Sequence, residues 1–343
     1  MQHLPVISKT GKRLMPCHAA RARQLIRKGK AVKRFDRGIC YLLLTEREDG
    51  DTQPVALGID PGSQQEAFTI QGQKHTYINV QADAVTWVKA AVATRRQMRR
   101  VRRYRKTPYR ACRPNRQVNA KRIPPSTRAR WGLKLRIAQW FARYYPITSM
   151  VMEDIAAATK ADKRRWNASF SPLEVGKEWA YGELERIAEL VTAQGYHTKA
   201  LRDQAGLKKT NQKLSDTWEA HCVDSFVLAS YAVNGPSQPT TKAMLYLSPL
   251  RVHRRQRHRL QPEKGGVRKP YGGTRSLGLK RGSWVRHATW GVCYVGGARK
   301  GRISLHKTQN GKRLTQNAKA ADCHVLCTAS WRIRAKAGRS SHP

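Results

Sequence analysis

The chain has 343 residues, a formal net charge of +45, and 67 Lys and Arg residues against 22 Asp and Glu residues. A length of this order predicts two or more domains, and a hydrophobic fraction of 40% permits a packed core, which excludes a merely disordered basic tail. A polycation repels itself unless a polyanion neutralises it, so these totals predict a folded protein that binds nucleic acid, as an enzyme or as a structural binder.

The first 53 residues read as a small basic unit. In "RLMPCHAARARQLIRKGKAVKRF", Pro16 suits the first turn of a helix, apolar and basic residues follow at helical spacing, and Gly29 suits the end of that helix. The segment "ICYLLLT", which comes next, predicts a strand.

From Val55 the pattern changes to "VALGID", "EAFTI" and "HTYINV", three short strands that predict a meander, and a long helix is predicted from about Ala82. Between Arg95 and Arg122 the chain has thirteen Arg or Lys residues and no acid. Exposed helices normally mix charges to limit repulsion between neighbours, so this segment predicts contact with phosphates rather than a solvated surface. The predicted nucleic-acid contacts are Arg95, Arg96, Arg99, Arg100, Arg102, Arg103, Arg105, Arg110 and Arg113.

Alternating helices and strands are predicted after this basic segment. "RARWGLKLRIAQWFARYYP" predicts an amphipathic helix and "ITSMVMED" a short strand. "FSPLEVGKEWAYGELERIAELVTAQG" predicts a helix capped by Ser171, with Pro172 in its first turn and Gly195 at its end. "HTKALR" predicts another strand, and "SDTWEAHCVDSFVLASYAV" predicts a helix capped by Ser215 or Asp216.

After about Asn234 the chain is basic, rich in Gly and interleaved with Tyr and Trp. "WGVCYVGG" and "GRISLHK" predict strands of a small β unit. This mixture is typical of loops that present Arg and aromatic side chains to shaped RNA or to duplex DNA.

Hydropathy and cysteine usage bear on the compartment. No apolar run approaches the roughly 18 residues that cross a bilayer, and the N-terminus lacks the apolar core of a signal peptide. Seven scattered Cys, an odd number, fit a reducing cytosol. Cys323, His324 and Cys327 in "DCHVLC" offer a zinc site as a minor alternative, because no second pair stands at the spacing of a zinc finger.

Three acidic positions stand out in the middle region, whose predicted order is strand, strand, strand, helix, strand, helix, strand, helix. That order is typical of an RNase H-like fold. Asp60 ends the first strand, Glu153 ends the fourth, and Asp224 lies on the last helix, with His221 one turn earlier on the same face. Such carboxylates can hold two Mg²⁺ for in-line phosphodiester hydrolysis, and a nearby His can accept a proton from water.

Each of these residues also has a structural interpretation. Asp60 before Pro-Gly can serve only as a turn residue, Glu153 and Asp154 can be solvated loop acids, and His221 and Asp224 can be a surface pair. The metal site is favoured because acids are scarce in this polycation and these stand at three positions that the fold would bring together.

The ordered set "GIDPG", arginine-rich helix, "MVMED" and "HCVDS" resembles the split RuvC nuclease of IscB and IsrB proteins, transposon-encoded relatives of type II CRISPR effectors. "RLMP" resembles their PLMP motif, with Arg13 in place of the first Pro, and residues 95–122 resemble their bridge helix. IscB carries an inserted HNH nuclease, whereas about 67 residues separate Glu153 from His221 here and contain one His, His197. The resemblance is therefore to IsrB.

The resemblance implies an α/β fold: an RNase H-like (RuvC) core split by an arginine-rich bridge helix, with a small N-terminal PLMP domain and a basic C-terminal nucleic-acid-binding region of α+β or β structure. The implied layout is 1–53 PLMP-like domain, 54–93 RuvC segment I, 94–125 bridge helix, 126–200 RuvC segment II, 201–235 RuvC segment III, and 236–343 the region contacting guide RNA and the motif that flanks the target.

The implied activity is nicking of the non-target DNA strand, guided by a large omega RNA at a target beside a short flanking motif. By position, Asp60, Glu153 and Asp224 would be ligands of two Mg²⁺, with Mn²⁺ as a substitute, and His221 would be the general base or a residue close to the metal. The protein would act as a monomer within a ribonucleoprotein in the prokaryotic cytosol or nucleoid. Two alternatives stay open at this point: a guide-independent RuvC-type nuclease and a non-catalytic RNA-binding protein.

Overall fold

The computed structural model describes residues 3–104, 123–155, 171–249, 260–261, 266–267, 275–308, 310–327 and 331–334. The chain divides into two compact units. The first unit comprises residues 13–15 and 50–243, and the second comprises residues 2–12, 16–49 and 244–343.

The helices and strands of the described residues are numbered in chain order. The helices are α1 (Ala19–Arg27), α2 (Trp87–Tyr104), α3 (Pro125–Phe141), α4 (Pro172–Glu185), α5 (Gly195–Gln204) and α6 (Trp218–Ala232). The strands up to residue 249 are β1 (His3–Ile7), β2 (Arg13–His18), β3 (Ala31–Asp36), β4 (Ile39–Leu44), β5 (Val55–Asp60), β6 (Gln65–Gly72), β7 (Thr76–Asp83), β8 (Ser149–Asp154), β9 (Glu189–Gln194) and β10 (Met244–Pro249). The later strands are β11 (Leu260–Gln261), β12 (Gly266–Val267), β13 (Arg275–Ser276), β14 (Leu279–Lys280), β15 (Trp284–His287), β16 (Gly291–Arg299), β17 (Arg302–Lys307), β18 (Arg313–Ala318), β19 (Cys323–Cys327) and β20 (Trp331–Arg334).

A mixed sheet forms the centre of the first unit, with the strand order β7-β6-β5-β8-β9. The meander β5-β6-β7 is antiparallel, and β8 and β9 run parallel to β5. Every residue of β5 is buried, and α6 lies across β5. A Cβ on Gly58 would stand 1.8 Å from the carbonyl oxygen of Ser225, so only a glycine in β5 permits this close approach of α6.

A buried ion pair joins α3 to this sheet. Lys134 Nζ donates to Glu66 Oε1 at 2.6 Å, and the two side chains are 4% and 0% exposed. Trp140 and Phe141 at the end of α3 are also fully buried. The strand–helix order predicted for the middle region is found in the structure, so a mixed α/β fold is confirmed for this unit.

Two predicted elements between residues 172 and 202 are wrong. The helix predicted to reach Gly195 ends at Glu185, and Glu189–Gln194 form the edge strand β9. "HTKALR", predicted as a strand, lies within α5. The β9 backbone pairs in parallel with β8, and this pairing outweighs the local preference of "ELVTAQ" for a helix.

Two predicted helix starts are also wrong. Pro16 lies in β2, and α1 begins at Ala19, where the amide of Ala20 donates to the ring of His18. The N-cap position of the last helix is held by Thr217 rather than by Ser215 or Asp216, with extended backbone angles and no capping hydrogen bond from its side chain. The end of α1 is confirmed, since Gly29 follows it with a φ of 68°.

Among its described residues, the second unit contains two larger sheets, the two-stranded sheets β11-β12 and β13-β14, and the antiparallel pair β10-β20. In the first, β1 pairs in parallel with β4, and β3 pairs with β4 antiparallel. In the second, strands in the order β18-β17-β16-β15-β19 form an antiparallel sheet, which confirms the strands predicted from "WGVCYVGG" and "GRISLHK". None of the helices described in either unit is both long and apolar enough to span a lipid bilayer.

Candidate active site

Asp60 ends β5 at the point where the chain turns away from the sheet. Gly62 permits the turn, because a Cβ there would stand 1.7 Å from the carbonyl oxygen of Gln65. Asp60 is 7% exposed, and its Oδ2 lies 2.9 Å from Nδ1 of His221 on α6. The contact shows that Asp60, besides preceding a turn, faces α6.

His221 bridges two oxygen atoms. Its Nδ1 faces Asp60, and its Nε2 lies 2.9 Å from the carbonyl oxygen of Lys213. A carbonyl oxygen can only accept, so Nε2 carries a proton and donates to it. The ring of His221 is therefore held between the Asp60 carboxyl group and the Lys213 carbonyl.

Asp224 lies one turn after His221 on α6 and is 2% exposed. Arg202 Nη1 donates to its Oδ1 at 2.5 Å, and Lys209 Nζ donates to its Oδ2. A carboxylate this deeply buried requires paired positive charge, and here both oxygens have a cationic partner.

Glu153 is the last residue but one of β8, the strand parallel to β5. Burial raises the pKa of Glu153, and the charges of Asp60 and Asp224 raise it further. A Cβ on Gly195, the first residue of α5, would lie 3.2 Å from Oε1 of Glu153, so the carboxyl group stands close to the start of that helix. The register of β5 and β8 pairs Ile59 with Met152, so the next residues, Asp60 and Glu153, lie at the same end of the sheet.

Lys209 lies among these acids. Burial would lower the pKa of its ammonium group, but the charges of Asp60 and Asp224, the hydrogen bond to Asp224 and the charge of Glu153 together raise it. All four predicted site residues are therefore brought to one end of the first unit's sheet, and their catalytic and metal-binding roles stay predictions.

The three acids offer Mg²⁺ the kind of ligand that it prefers, a hard oxygen atom. Asp60, Glu153 and Asp224 supply hard carboxylate oxygens, which suit this ion, and their repulsion at Glu153 shows negative charge that a cation would compensate. In the described part of the chain, no three His, Cys, Asp or Glu side chains already stand as the ligands of one ion. The residues fit the ion in chemistry, provided that Lys209 releases Asp224.

Asp154 serves a different purpose from its neighbour Glu153. Its Oδ1 accepts from Lys177 Nζ at 2.8 Å and from the Tyr181 hydroxyl at 2.9 Å, and its Oδ2 accepts from Gln194. Burial opposes the effect, but these donors lower the pKa of Asp154. Asp154 thus ties α4 and β9 to the end of β8 and is no ligand candidate.

Two residues that contact Asp224, Arg202 and Lys209, were not predicted from the sequence. Arg202 falls in "HTKALR", which was predicted as a strand, and Lys209 falls in "GLKKTNQK", one of many basic stretches. The only available signal was that a buried acid on an apolar helix requires a cation, and 67 candidates compete for that role.

The arginine-rich segment is described in its first half. Arg95, Arg96, Arg99, Arg100 and Arg103 lie on α2 with exposed side chains, and no ion pair joins these five to an acid among the described residues. Arg102 lies on the same helix. Arg105, Arg110 and Arg113 lie outside the described residues, as do all residues from 105 to 122 of the predicted bridge helix.

The minor zinc alternative gains no support. Cys323 is buried in the apolar cluster of the second unit's antiparallel sheet and donates to the carbonyl oxygen of Lys319, whereas His324, its neighbour on β19, is exposed. Adjacent residues of a strand point to opposite faces, so these two side chains do not converge.

The N-terminal half of the chain is similar to a known protein family. Residues 4–167 match the family model described as RRXRR protein. This segment contains Asp60, Glu153 and the described part of the arginine-rich helix, and it ends before His221 and Asp224. Among curated proteins, no match is found.

Two solved structures are similar over about half of the chain. One is "T. thermophilus RuvC in complex with Holliday junction substrate", with 12% identity and a TM-score of 0.27, covering 52% of this chain and 90% of that chain. The other is "Thermus thermophilus RuvC structure", with 14% identity and a TM-score of 0.23, covering 51% of this chain and 90% of that chain.

Proposed function

We propose that this chain is an RNA-guided DNA nickase that hydrolyses phosphodiester bonds in the displaced, non-target strand. The observation that carries the proposal is the convergence of Asp60, Glu153, Asp224 and His221 at one end of a sheet. The match of residues 4–167 to the RRXRR family, which is found in IscB- and IsrB-like proteins, supports it.

The arrangement of the first unit also favours an RNase H-like core of the IsrB kind. An antiparallel meander continues into parallel strands, and the acids stand at the ends of β5 and β8 and on α6. The arginine-rich α2 follows β7, between the two strands that carry Asp60 and Glu153. This placement puts the positive helix inside the nuclease sequence, as a bridge helix would be.

Asp60, Glu153 and Asp224 would hold two Mg²⁺ in this proposal, with Mn²⁺ as a substitute. Bound there, the metal would supply charge neutralisation at the attacking and leaving oxygens of the phosphodiester. The protein would contribute rigid placement, because each carboxylate lies at the end of a strand or on a helix packed against the sheet. Arg202 would keep Asp224 in position after Lys209 releases it.

His221 would accept a proton from the attacking water. Its ring is held between Asp60 and the Lys213 carbonyl, so the geometry orients it before any substrate binds. To accept a proton, one ring nitrogen must first lose its present partner and its own proton. The contact with the Lys213 carbonyl is the one on the exposed side, so we propose that substrate binding breaks it.

The proposed partners follow from the charge. A guide RNA would neutralise much of the +45 charge and read the target by base pairing, and the protein would bind duplex DNA beside a short flanking motif. The exposed arginines of α2 would contact phosphates of these nucleic acids. The complex would contain one protein chain and act in the cytosol or nucleoid.

The test is nicking of supercoiled plasmid carrying the target, by protein purified with its bound RNA. Asp60→Asn and Asp224→Asn should reduce nicking at least about a hundredfold, as removing one charge-stabilising group does in other enzymes. Asp203→Asn, a matched loss of an exposed acid on α5, should leave the rate within about twofold.

Three results would overturn the proposal or parts of it. Equal rates for wild type and Asp60→Asn in Mg²⁺ would reject the active site. Undiminished cutting after RNA removal would favour a guide-independent nuclease, and linear product would contradict a single-strand nickase.

A further inference from the structure

A cavity of about 440 Å³ lies on one face of the antiparallel sheet of the second unit. Along β16 and β17 alternate residues divide between the two faces of that sheet. Cys293, Val295, Ile303 and Leu305 pack in the core, whereas Tyr294, Gly296, Ser304 and His306 line the cavity, which Val295 also borders. Polar side chains of β16 and β17 therefore form much of the cavity lining.

Gly296 leaves room in the cavity for the side chains of Ser304 and His306. A Cβ on Gly296 would stand 2.4 Å from both Ser304 Oγ and His306 Nε2. The rings of Tyr294 and His306 stack with centroids 5.1 Å apart and an interplanar angle of 17°. The Arg332 guanidinium lies 4.9 Å from the centre of the Tyr294 ring. A flat, layered stack thus bounds the cavity.

The lining is strongly positive. Four arginines line the cavity, Arg281, Arg299, Arg313 and Arg332, and its lining residues include no Asp or Glu. Burial lowers the pKa of His306, and the charges of Arg313 and Arg332 lower it further, against the hydrogen bond to the Gly311 carbonyl. No acid among the lining residues offsets the charge of the four arginines.

One arginine atom is left without a partner. Arg332 Nε is buried and makes no hydrogen bond to any of the described residues. A buried donor without a partner is costly and uncommon in folded proteins. An anionic ligand beside Arg332 would remove this cost.

We propose that the cavity binds one unpaired nucleotide of a nucleic-acid strand, with its phosphate held by the arginines. Its volume lies within the range of about 300–1,000 Å³ that is usual for small-molecule sites, which exceeds the needs of an isolated phosphate. The proposal rests on the proposed function only for the class of ligand, and nicking at Asp60 does not depend on it.

The test uses the full chain, freed of nucleic acid and labelled with ¹³C-histidine, and the probe is uridine 5′-monophosphate. The ring signal of His306, assigned with His306→Gln, should shift on titration, and its pKa should rise because the phosphate offsets Arg313 and Arg332. Arg313→Gln should weaken the nucleotide affinity about tenfold, as loss of a charged hydrogen bond does. Arg286→Gln, an equal loss of charge at an exposed position of β15, should change it by less than about twofold.

Further variants and ligands show which atoms are responsible for nucleotide binding. Arg332→Lys keeps the charge but removes Nε, and it should weaken binding as much as Arg313→Gln. The 2′-deoxy nucleotide tells whether the strand is RNA or DNA. Inorganic phosphate binding as tightly as the nucleotide, or equal losses in Arg313→Gln and Arg286→Gln, would overturn the proposal even when nicking persists. If the wild-type protein binds the nucleotide but does not nick the plasmid, that result would count against the proposed function alone.

Discussion

Lys209 donates a hydrogen bond from its ammonium group to Asp224, a carboxylate that is 2% exposed. The charges of Asp60 and Glu153 also stabilise the charged form of Lys209. A cation that belongs to the protein thus stands among the acids that would bind divalent metal. If Asp224 binds metal as proposed, Lys209 and the metal would compete for the same oxygen.

Lys209→Met should increase the affinity for Mg²⁺ about tenfold, because a charged hydrogen bond no longer has to be broken. The metal-free variant should also unfold at a lower temperature, since Asp224 keeps one cationic partner instead of two. Titration calorimetry with Mg²⁺ and thermal unfolding with and without the ion measure both effects. Lys208→Met, at the exposed neighbouring position, is the matched control and should change neither. An unchanged Mg²⁺ affinity in Lys209→Met would rule out the competition.

Glu153 should make the metal-free protein less stable as the pH rises. Burial, Asp60 and Asp224 raise its pKa above the ordinary value of 4.5, so folding favours the protonated form. Its cost is absent at low pH and develops as the pH rises from about 4.5 through the raised pKa. Urea unfolding from pH 4 to 8 should show Glu153→Gln gaining stability relative to wild type over this range. A difference that is constant with pH would contradict the raised pKa.

Gly58→Ala should disrupt the site through packing. Its Cβ would meet the Ser225 carbonyl oxygen at 1.8 Å, and neither backbone can move without separating α6 from β5. We expect a loss of about 1–3 kcal/mol in the free energy of unfolding and a loss of nicking, because α6 carries His221 and Asp224. Gly182→Ala, where a Cβ meets nothing within 4 Å in α4, should instead stabilise the protein by about 0.5–1 kcal/mol. Similar stabilities for the two variants would refute the close-packing argument.

Lys134→Met should destabilise the first unit by about 3–5 kcal/mol, because it leaves the Glu66 carboxylate buried without its cation. Glu66 already has one oxygen, Oε2, without a hydrogen-bond partner among the described residues. The double variant Glu66→Gln with Lys134→Met should recover part of the loss. Denaturant unfolding of the three proteins measures this, and additive losses would show that the pair is not coupled.

The sequence predicted the parts of the fold whose signals are local. β5 to β8 follow from short apolar runs that turn residues interrupt, and α3 follows from its amphipathic pattern. The positions of Asp60, Glu153, Asp224 and His221 at strand ends and on one helix face were also predicted, because these depend on the order of elements alone.

What the sequence by itself determined is the charge, the meander and the placement of scarce acids, since each is carried by neighbouring residues. The tertiary structure alone decided that residues 189–194 form a strand, because the ladder with β8 outweighs their helical preference. It alone decided that Arg202 and Lys209 pair with Asp224, since many basic side chains are chemically equivalent until the chain folds. The same reason holds for the cavity, where Arg299, Arg313 and Arg332 come from three separate strands.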